Sequence, residues 1–266
     1  MKKVVFITGI SSGFGKEISK QLAERGHKVY GTIRTKCEVA PGVNTVFIEL
    51  TDPQSIQKAV ASVIEKEGRI DVLINNAGMH SGGPIEETPM EVIRAQMETN
   101  YFGWISVIKN IVPIMREQRG GTIINISSIG GLTGLPFQGV YSAAKFALEG
   151  MSAALRLELR PFNINVVMVN PGDFKTRNTE TRIVSIAENS VYQQQFEKTL
   201  GIIAKDETQG KDPELLGRTI CKIVEARKPR DRYLVGAFIQ KLAVFVKHIT
   251  SDRWFSWIIG KYYGIK

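Results

Sequence analysis

The sequence of 266 residues has few of the residues that build disulfides and metal sites. It contains two cysteines, Cys37 and Cys221, and three histidines, all far apart along the chain. Two distant cysteines do not make a disulfide framework, and scattered histidines do not make a zinc-ligand cluster. We therefore expect no metal site and a reducing, cytoplasmic setting.

Long apolar runs are also missing, since no run approaches the 18 residues that suggest a membrane-spanning helix. The N-terminus resembles a signal peptide, but it meets Gly9 too early and has no small-residue cleavage site. A buried first strand fits it better. The hydrophobic fraction of 43% and the charged fraction of 23% are typical of a soluble globular protein.

Acidic residues are scarce at the C-terminal end. Residues 211–266 contain twelve Lys or Arg and five Asp or Glu, an excess of seven within a net charge of +9. This excess fits a solvated basic surface, and it equally fits attraction to phosphate or to an anionic membrane.

A glycine-rich stretch follows the first apolar run. Residues 4–8 are strand-forming and continuously apolar, as in a parallel strand buried on both faces. The pattern T-G-x-x-x-G-x-G then covers residues 8–15, and a helical pattern follows; neither G-x-G-x-x-G nor a Walker A loop fits. Glycines let the backbone approach a pyrophosphate, whose charge the helix N-terminus favours. The predicted contact residues are Gly9, Ser11, Ser12, Gly13, Phe14 and Gly15.

Apolar runs alternate with helical patterns along the chain. The predicted strands cover residues 4–8, 27–33, 44–50, 69–74, 121–128 and 164–169. This alternation predicts a Rossmann-like α/β fold, with a doubly wound parallel β-sheet flanked by helices on both faces. No linker or repeat interrupts the pattern, so we expect one domain over residues 1–266.

The end of the second predicted strand bears on the choice of cofactor. A carboxylate there would bind the ribose hydroxyls of NAD, but the chain has Arg34 and no acid. A guanidinium can pair with a 2′-phosphate through charge-assisted hydrogen bonds. We therefore predict NADP, with NAD less favoured; the alternative is that Arg34 points into water.

A phenol and an ammonium lie close together in the stretch Tyr141-Ser142-Ala143-Ala144-Lys145. A spacing of four residues places both side chains on one helix face. The ammonium favours the phenolate, so we expect the pKa of Tyr141 to lie below its usual value of about 10. Such a tyrosine suits proton donation in carbonyl reduction. On its own, the pair also fits a solvated helix face.

Other motifs accompany this pair in order: Asn75-Asn76-Ala77-Gly78, Asn100, Ser128 and Pro171-Gly172. With the glycine stretch, they make the chain from Lys3 to about Tyr233 resemble the classical short-chain dehydrogenase/reductase family. The resemblance implies a Rossmann fold, a nicotinamide cofactor, and hydride transfer between the cofactor and a carbonyl or alcohol.

The resemblance also implies roles for four residues. Tyr141 would be the general acid in reduction and the base in oxidation. Lys145 would lower the pKa of Tyr141 and hold the nicotinamide ribose. Ser128 would hydrogen-bond the substrate oxygen as charge develops on it. Asn100 would support a water that links Lys145 to solvent.

Further cofactor contacts follow from the same resemblance. Beside the adenine and its ribose it places Glu49, Leu50, Asn76, Ala77 and Gly78. Near the nicotinamide it places Tyr141, Lys145, Pro171, Gly172 and Thr176. The family usually has an aspartate where this chain has Glu49, and Asn75 is expected to be structural.

Two segments are expected to surround the substrate. Residues 173–211 follow the nicotinamide motif, where the family carries an insertion that covers the substrate, and their apolar residues suit a lid over a lipophilic carbonyl or alcohol such as a steroid, retinoid or keto-lipid. Residues 237–266 combine aromatic and aliphatic residues with Lys and Arg. This tail suits a peripheral membrane contact, a cover for the substrate cleft or a subunit contact.

The leading interpretation is an NADP-dependent oxidoreductase that acts on a small-molecule carbonyl or alcohol. A non-catalytic NADP-binding sensor would have no need of the Tyr141 and Lys145 pair. A nucleic-acid binder is suggested by the sequence pI near 9.5, but no recognition motif accompanies the basic excess, and we expect no nucleic acid as partner. The resemblance implies a homo-oligomer, a dimer or a tetramer, in which the helices around Asn100 and Tyr141 pair.

Overall fold

The computed structural model of the protein describes residues 2–176 and 178–265, without the side chains of residues 178 and 179. Its strands are β1 (Val4–Ile7), β2 (Lys28–Ile33), β3 (Val43–Phe47), β4 (Val72–Asn75), β5 (Ser81–Gly82), β6 (Gly121–Ile126), β7 (Ile164–Pro171), β8 (Ile183–Val184) and β9 (Arg232–Val235). Its α-helices are α1 (Gly13–Glu24), α2 (Pro53–Glu67), α3 (Met90–Met97), α4 (Gly103–Glu117), α5 (Gly139–Leu159), α6 (Asn178–Thr181), α7 (Gln193–Thr208), α8 (Pro213–Glu225), α9 (Phe238–Ile249) and α10 (Asp252–Tyr262).

Seven strands form one parallel sheet in the order β3-β2-β1-β4-β6-β7-β9. The chain builds outward from β1 to β3, then crosses to β4 and builds outward on the other side. The strand order therefore reverses between β1 and β4. In sheets of this type, ligands bind beyond the carboxyl ends of the strands at this reversal.

Helices cover both faces of the sheet, because each central strand buries side chains on both sides. In β1, Val4 and Phe6 enter one hydrophobic core, whereas Val5 and Ile7 enter the other. Trp104 of α4 belongs to the first core. Two cores of this kind explain the continuous apolar runs of the sequence. The predicted doubly wound α/β fold is confirmed.

The structure differs from the predicted elements at several points. The third strand ends at Phe47 rather than at residue 50, although the Ile48 amide still bonds Ile33. The helix predicted from Gln96 to Met115 starts at α3 and changes to a π-helical turn at Glu98–Phe102 before α4. The sheet also includes β9, a four-residue edge strand that the sequence patterns did not predict. Assignment of residues 1–266 to one domain stays a prediction.

The predicted lid contains α6, β8 and α7, and β8 pairs with β5 in a separate two-stranded sheet. The predicted tail contains α9 and α10. Over residues 2–176 and 178–265, the structure has no helix that is both long enough and apolar enough to cross a membrane.

Candidate active site

The turn between β1 and α1 needs glycine at positions that other residues fit poorly. Gly9 has a φ of 72°, and a Cβ there would lie 2.7 Å from the Cβ of Ala77. Gly13 has a φ of 54°, and a Cβ built there would meet no atom of the described residues within 4 Å, apart from its chain neighbours. Ser12 caps α1 without a side-chain hydrogen bond to the first turn. The turn thus presents open backbone at a helix N-terminus, which fits a pyrophosphate.

Gly15 contributes packing to this turn. A Cβ at Gly15 would lie 1.9 Å from the carbonyl oxygen of Gly9 and 2.6 Å from Nδ2 of Asn76. Asn76 Nδ2 itself donates hydrogen bonds to the carbonyl oxygens of Thr8 and Gly9. Asn76 therefore holds the glycine turn against the loop after β4.

The adenosine end of the site lies beyond β2 and β3. Arg34 is exposed directly after β2, and among the described residues no carboxylate forms a salt bridge with it. Leu50 is buried and lines the same cavity as Arg34. Glu49 also lines it, and its Oε1 accepts hydrogen bonds from the amide and hydroxyl of Thr51. A guanidinium without an acidic partner fits the 2′-phosphate of NADP.

Ser128 and Tyr141 converge on Gly130. A Cβ at Gly130 would lie 3.3 Å from Cε1 of Tyr141 and 3.4 Å from Oγ of Ser128. Ser128 follows β6, and its Oγ accepts a hydrogen bond from the Gly130 amide at 3.0 Å. That bond uses only a lone pair, so the Ser128 hydroxyl proton can be donated, to Tyr141 in the ligand-free site or to a substrate oxygen.

Lys145 lies one turn after Tyr141 in α5 and is buried. Its ammonium donates a hydrogen bond to the carbonyl oxygen of Ile126 at 2.9 Å and lies 4.6 Å from the ring centroid of Trp104. The same nitrogen is 5.8 Å from the ring centroid of Tyr141. The predicted pair on one helix face is therefore present, but it is a buried pair.

Burial reverses the expected pKa of Tyr141. It raises the pKa of the phenol to about 12, while the hydrogen bond with Ser128 opposes this rise. Burial also lowers the pKa of Lys145 to about 7. The prediction of a lowered tyrosine pKa was wrong for the ligand-free protein, because removal from water acts on both groups more strongly than their proximity.

Asn100 lies in the π-helical turn between α3 and α4, a deviation that often marks functional sites. Its Oδ1 accepts a hydrogen bond from the Met79 amide, and its Nδ2 donates one to the Met79 carbonyl, both at 2.8 Å. The side chain therefore braces the loop after β4. The predicted water link to Lys145 stays a prediction. Asn75 bonds Asn125 inside the sheet, as expected of a structural residue.

The predicted site residues surround one cavity of about 590 Å³. Gly15 is the exception, because it packs against Gly9 and Asn76 and does not line the cavity. The predicted residues that line the cavity are Gly9, Ser11, Ser12, Gly13, Phe14, Arg34, Glu49, Leu50, Asn76, Ala77, Gly78, Asn100, Ser128, Tyr141, Lys145, Pro171, Gly172 and Thr176. The cavity therefore runs from the glycine turn to the Tyr141 helix.

Two site residues were missed in the sequence. His80 also lines the cavity and stacks on the ring of Tyr141, with centroids 4.5 Å apart. Burial lowers the pKa of His80 to about 3, so its imidazole is neutral at physiological pH. Trp104 contacts Lys145 and donates a hydrogen bond from Nε1 to the carbonyl of Ala77. A helical spacing of four from Asn100 was the available signal for Trp104.

The wall of the cavity also carries carboxylates from the lid. Asp173, Asp206 and Glu207 line it together with Tyr263 of the tail. Burial, and then the carboxylates of Asp206 and Glu207, raise the pKa of Asp173 to about 6. The buried Arg182 pairs with Glu207 at 2.5 Å. Among the described residues there is no group of three metal-ligating side chains placed to hold an ion.

A glycine turn at the sheet reversal and a Ser–Tyr–Lys group at one cavity define a dinucleotide-dependent oxidoreductase. The family model described as short chain dehydrogenase matches residues 3–184. A 3-ketodihydrosphingosine reductase of Bacteroides thetaiotaomicron is 44% identical over 266 residues, covering 99% of each chain. The chain belongs to the short-chain dehydrogenase family and is an oxidoreductase that acts on CH–OH or C=O groups of small molecules.

Two solved structures share the fold at useful identity. A short-chain dehydrogenase from Streptomyces avermitilis is 30% identical with a TM-score of 0.82, and the match covers 95% of this chain and 94% of that one. A short chain dehydrogenase from Burkholderia cenocepacia, solved in complex with NADP, is 26% identical with a TM-score of 0.74 and the same coverage.

The buried ammonium predicts a pH-dependent stability difference. The pKa of Lys145 falls from 10.5 in the unfolded chain to about 7 in the fold, so the unfolded chain binds more protons between these values. The buried ammonium therefore lowers the free energy of unfolding, and this loss is complete below pH 7. We expect Lys145→Met to raise the free energy of unfolding near pH 7 by roughly 1–3 kcal/mol. Urea unfolding should show this gain shrinking towards pH 10.5.

The exposed Lys109 of α4 provides the matched control, and Lys109→Met should change the stability little at either pH. If Lys145→Met lowers the stability equally at both pH values, the buried ammonium does not carry the charge penalty described above.

Proposed function

We propose that the protein is an NADPH-dependent reductase of a long-chain amino-ketone. The observation that carries this proposal is the convergence of Ser128, Tyr141 and Lys145 at one end of the cavity, with Arg34 and the glycine turn along its cofactor end. The remaining wall combines apolar side chains with carboxylates, which suits a lipophilic substrate that carries a positive charge.

The nicotinamide cofactor, when bound, supplies the hydride. The Ser128 hydroxyl and the Tyr141 phenol donate hydrogen bonds to the substrate carbonyl oxygen. As negative charge develops on that oxygen, Tyr141 transfers its proton and becomes a phenolate. The Lys145 ammonium stabilises this phenolate and holds the nicotinamide ribose. Asn100 is proposed to support the water that returns a proton, and oxidation reverses these roles.

The substrate class is inferred from the acidic side chains in the cavity wall. Asp173 and Asp206 are carboxylates from different elements that face the same space. A bound ammonium would relieve the repulsion between them. The similar Bacteroides protein is a 3-ketodihydrosphingosine reductase, and such a substrate has an amino group beside its ketone and a long alkyl chain. These features support an amino-ketone over a steroid or a retinoid.

The cofactor preference is inferred from Arg34. Its guanidinium lies beyond β2 without an acidic partner among the described residues. The similar Burkholderia structure holds NADP. The other predicted contacts, from the glycine turn to Thr176, are proposed to bind the remainder of this cofactor.

A homo-oligomer is proposed as well. The helices α4 and α5 and their flanking turns expose large apolar side chains, which suits a subunit interface: Phe102, Phe146, Leu157 and Phe162. A cytoplasmic setting stays a prediction.

Replacement of the phenol tests the catalytic part of the proposal. With NADPH and 3-ketodihydrosphingosine, Tyr141→Phe should reduce kcat by at least about 1000-fold, because the proton donor is lost. Tyr30→Phe is the control, since Tyr30 is also buried and its hydroxyl bonds Glu67 far from the cavity. A ketone of equal length without the amine should have a KM about tenfold higher. Turnover retained in Tyr141→Phe would contradict the proposal.

Reversal of charge tests the cofactor preference. Arg34→Asp should lower the ratio of kcat/KM for NADPH to that for NADH by roughly 10- to 100-fold, because a charge-assisted bond to the 2′-phosphate is lost. Arg119→Asp places the same change on an exposed arginine outside the cavity and should leave the ratio unchanged. Equal use of NADPH and NADH by the unaltered enzyme would refute the inference from Arg34.

A further inference from the structure

Helix α9, the first of the two helices in the tail, exposes an apolar stripe. Phe238, Leu242, Phe245 and Ile249 follow one another at spacings of four, three and four residues, which places them on one helix face. The side chains of Phe238 and Phe245 are 79% and 60% exposed, and Ile249 is 66% exposed. Soluble proteins seldom leave so many large apolar side chains together in water.

The next helix, α10, exposes an aromatic stripe with a cation inside it. Trp254 and Trp257 are 63% and 53% exposed, and Ile258 lies beside them on the same face. The ammonium of Lys261 lies 4.3 Å from the ring centroid of Trp257. Exposed tryptophans beside lysines are characteristic of the boundary between lipid and water.

The opposite faces of both helices are fixed to the body of the protein. Gln240 of α9 bonds Asp173, and the Tyr262 hydroxyl of α10 donates a 2.7 Å hydrogen bond to Asp206. Val244 and Phe255 are buried on these inner faces. The inner faces of both helices are therefore occupied, and the outer stripes remain exposed.

The charge of the tail decides between two partners. Residues 237–266 contain five Lys or Arg and a single acid, Asp252, which pairs with Lys247. Contact with a second copy through this face would bring cations against cations. Anionic lipid headgroups offer the complementary charge, and each nearby Lys or Arg adds to the attraction.

We propose that the outer faces of α9 and α10 dock the protein on an anionic lipid bilayer, with the aromatic side chains in the headgroup region. Tyr263, which follows α10, lines the cavity. The docking face is therefore followed directly in the chain by a residue of the cavity wall. If the proposed function holds, a membrane-dissolved ketone enters beside the helices that touch the lipid.

Vesicle co-sedimentation tests the docking without any measurement of activity. The protein should bind vesicles of one part phosphatidylglycerol and two parts phosphatidylcholine roughly tenfold more tightly than pure phosphatidylcholine. Phe245→Asp should weaken binding by about tenfold or more, and Lys241→Gln by about fivefold. Trp257→Gln is a second variant on the other helix, expected to weaken binding as Phe245→Asp does.

Phe47→Asp is the matched control, because Phe47 is 62% exposed on the far edge of the sheet, and it should leave binding unchanged. Sedimentation velocity on the same variants shows whether α9 and α10 instead form a contact between subunits, because the oligomeric state would then change. Absence of binding to anionic vesicles overturns the proposal. So does equal weakening by Phe47→Asp, or a Phe245→Asp change in oligomeric state with binding intact.

Discussion

The site depends on the burial of one ammonium group. Lys145 is held between the carbonyl oxygen at the end of β6 and the indole ring of Trp104. The fold places a charge where water is excluded, which is costly unless partners are fixed in advance. Here a strand end, α4 and α5 each supply one of the groups. The Trp104 indole also bonds the Ala77 carbonyl, so the loop after β4 and the catalytic helix are positioned by the same side chain.

The same burial gives the ligand-free site its resting protonation state. The phenol of Tyr141 keeps its proton, and Lys145 is close to losing its own at neutral pH. A protonated phenol beside the Ser128 hydroxyl is ready to donate to a carbonyl oxygen. His80, neutral and stacked on Tyr141, adds no competing charge. The protonation states of the residues predicted to reduce a carbonyl thus depend on the exclusion of water as much as on the distances between these residues.

Sequence patterns predicted the fold because its signals are local. The run at Val4–Ile7 is apolar on both faces of a parallel strand, and Asp52 before Pro53 caps α2 by accepting a hydrogen bond from the Gln54 amide. The glycine turn and the spacing of Tyr141 and Lys145 are local as well. Those local patterns brought nearly all of the predicted contact residues to one cavity.

What the patterns missed depends on contacts between distant segments. His80 and Trp104 reach the site only through packing of the loop after β4 and of α4. Asp206 approaches Asp173 because the chain after α7 returns to this segment, where Lys211 exchanges backbone hydrogen bonds with Asp173 and Lys175. The direction of the Tyr141 pKa shift was missed for the same reason, since spacing along a helix says nothing about water around it. The edge strand β9 was too short to stand out.

The most direct test of this account is the pKa of the Lys145 ammonium in the ligand-free protein. NMR of isotopically labelled lysine side chains can follow this group through a pH titration, with Lys145→Met to assign its signal. The account predicts titration near pH 7. Titration near 10.5, the ordinary value for lysine, would contradict it, because the ammonium would then be solvated rather than buried against Ile126 and Trp104.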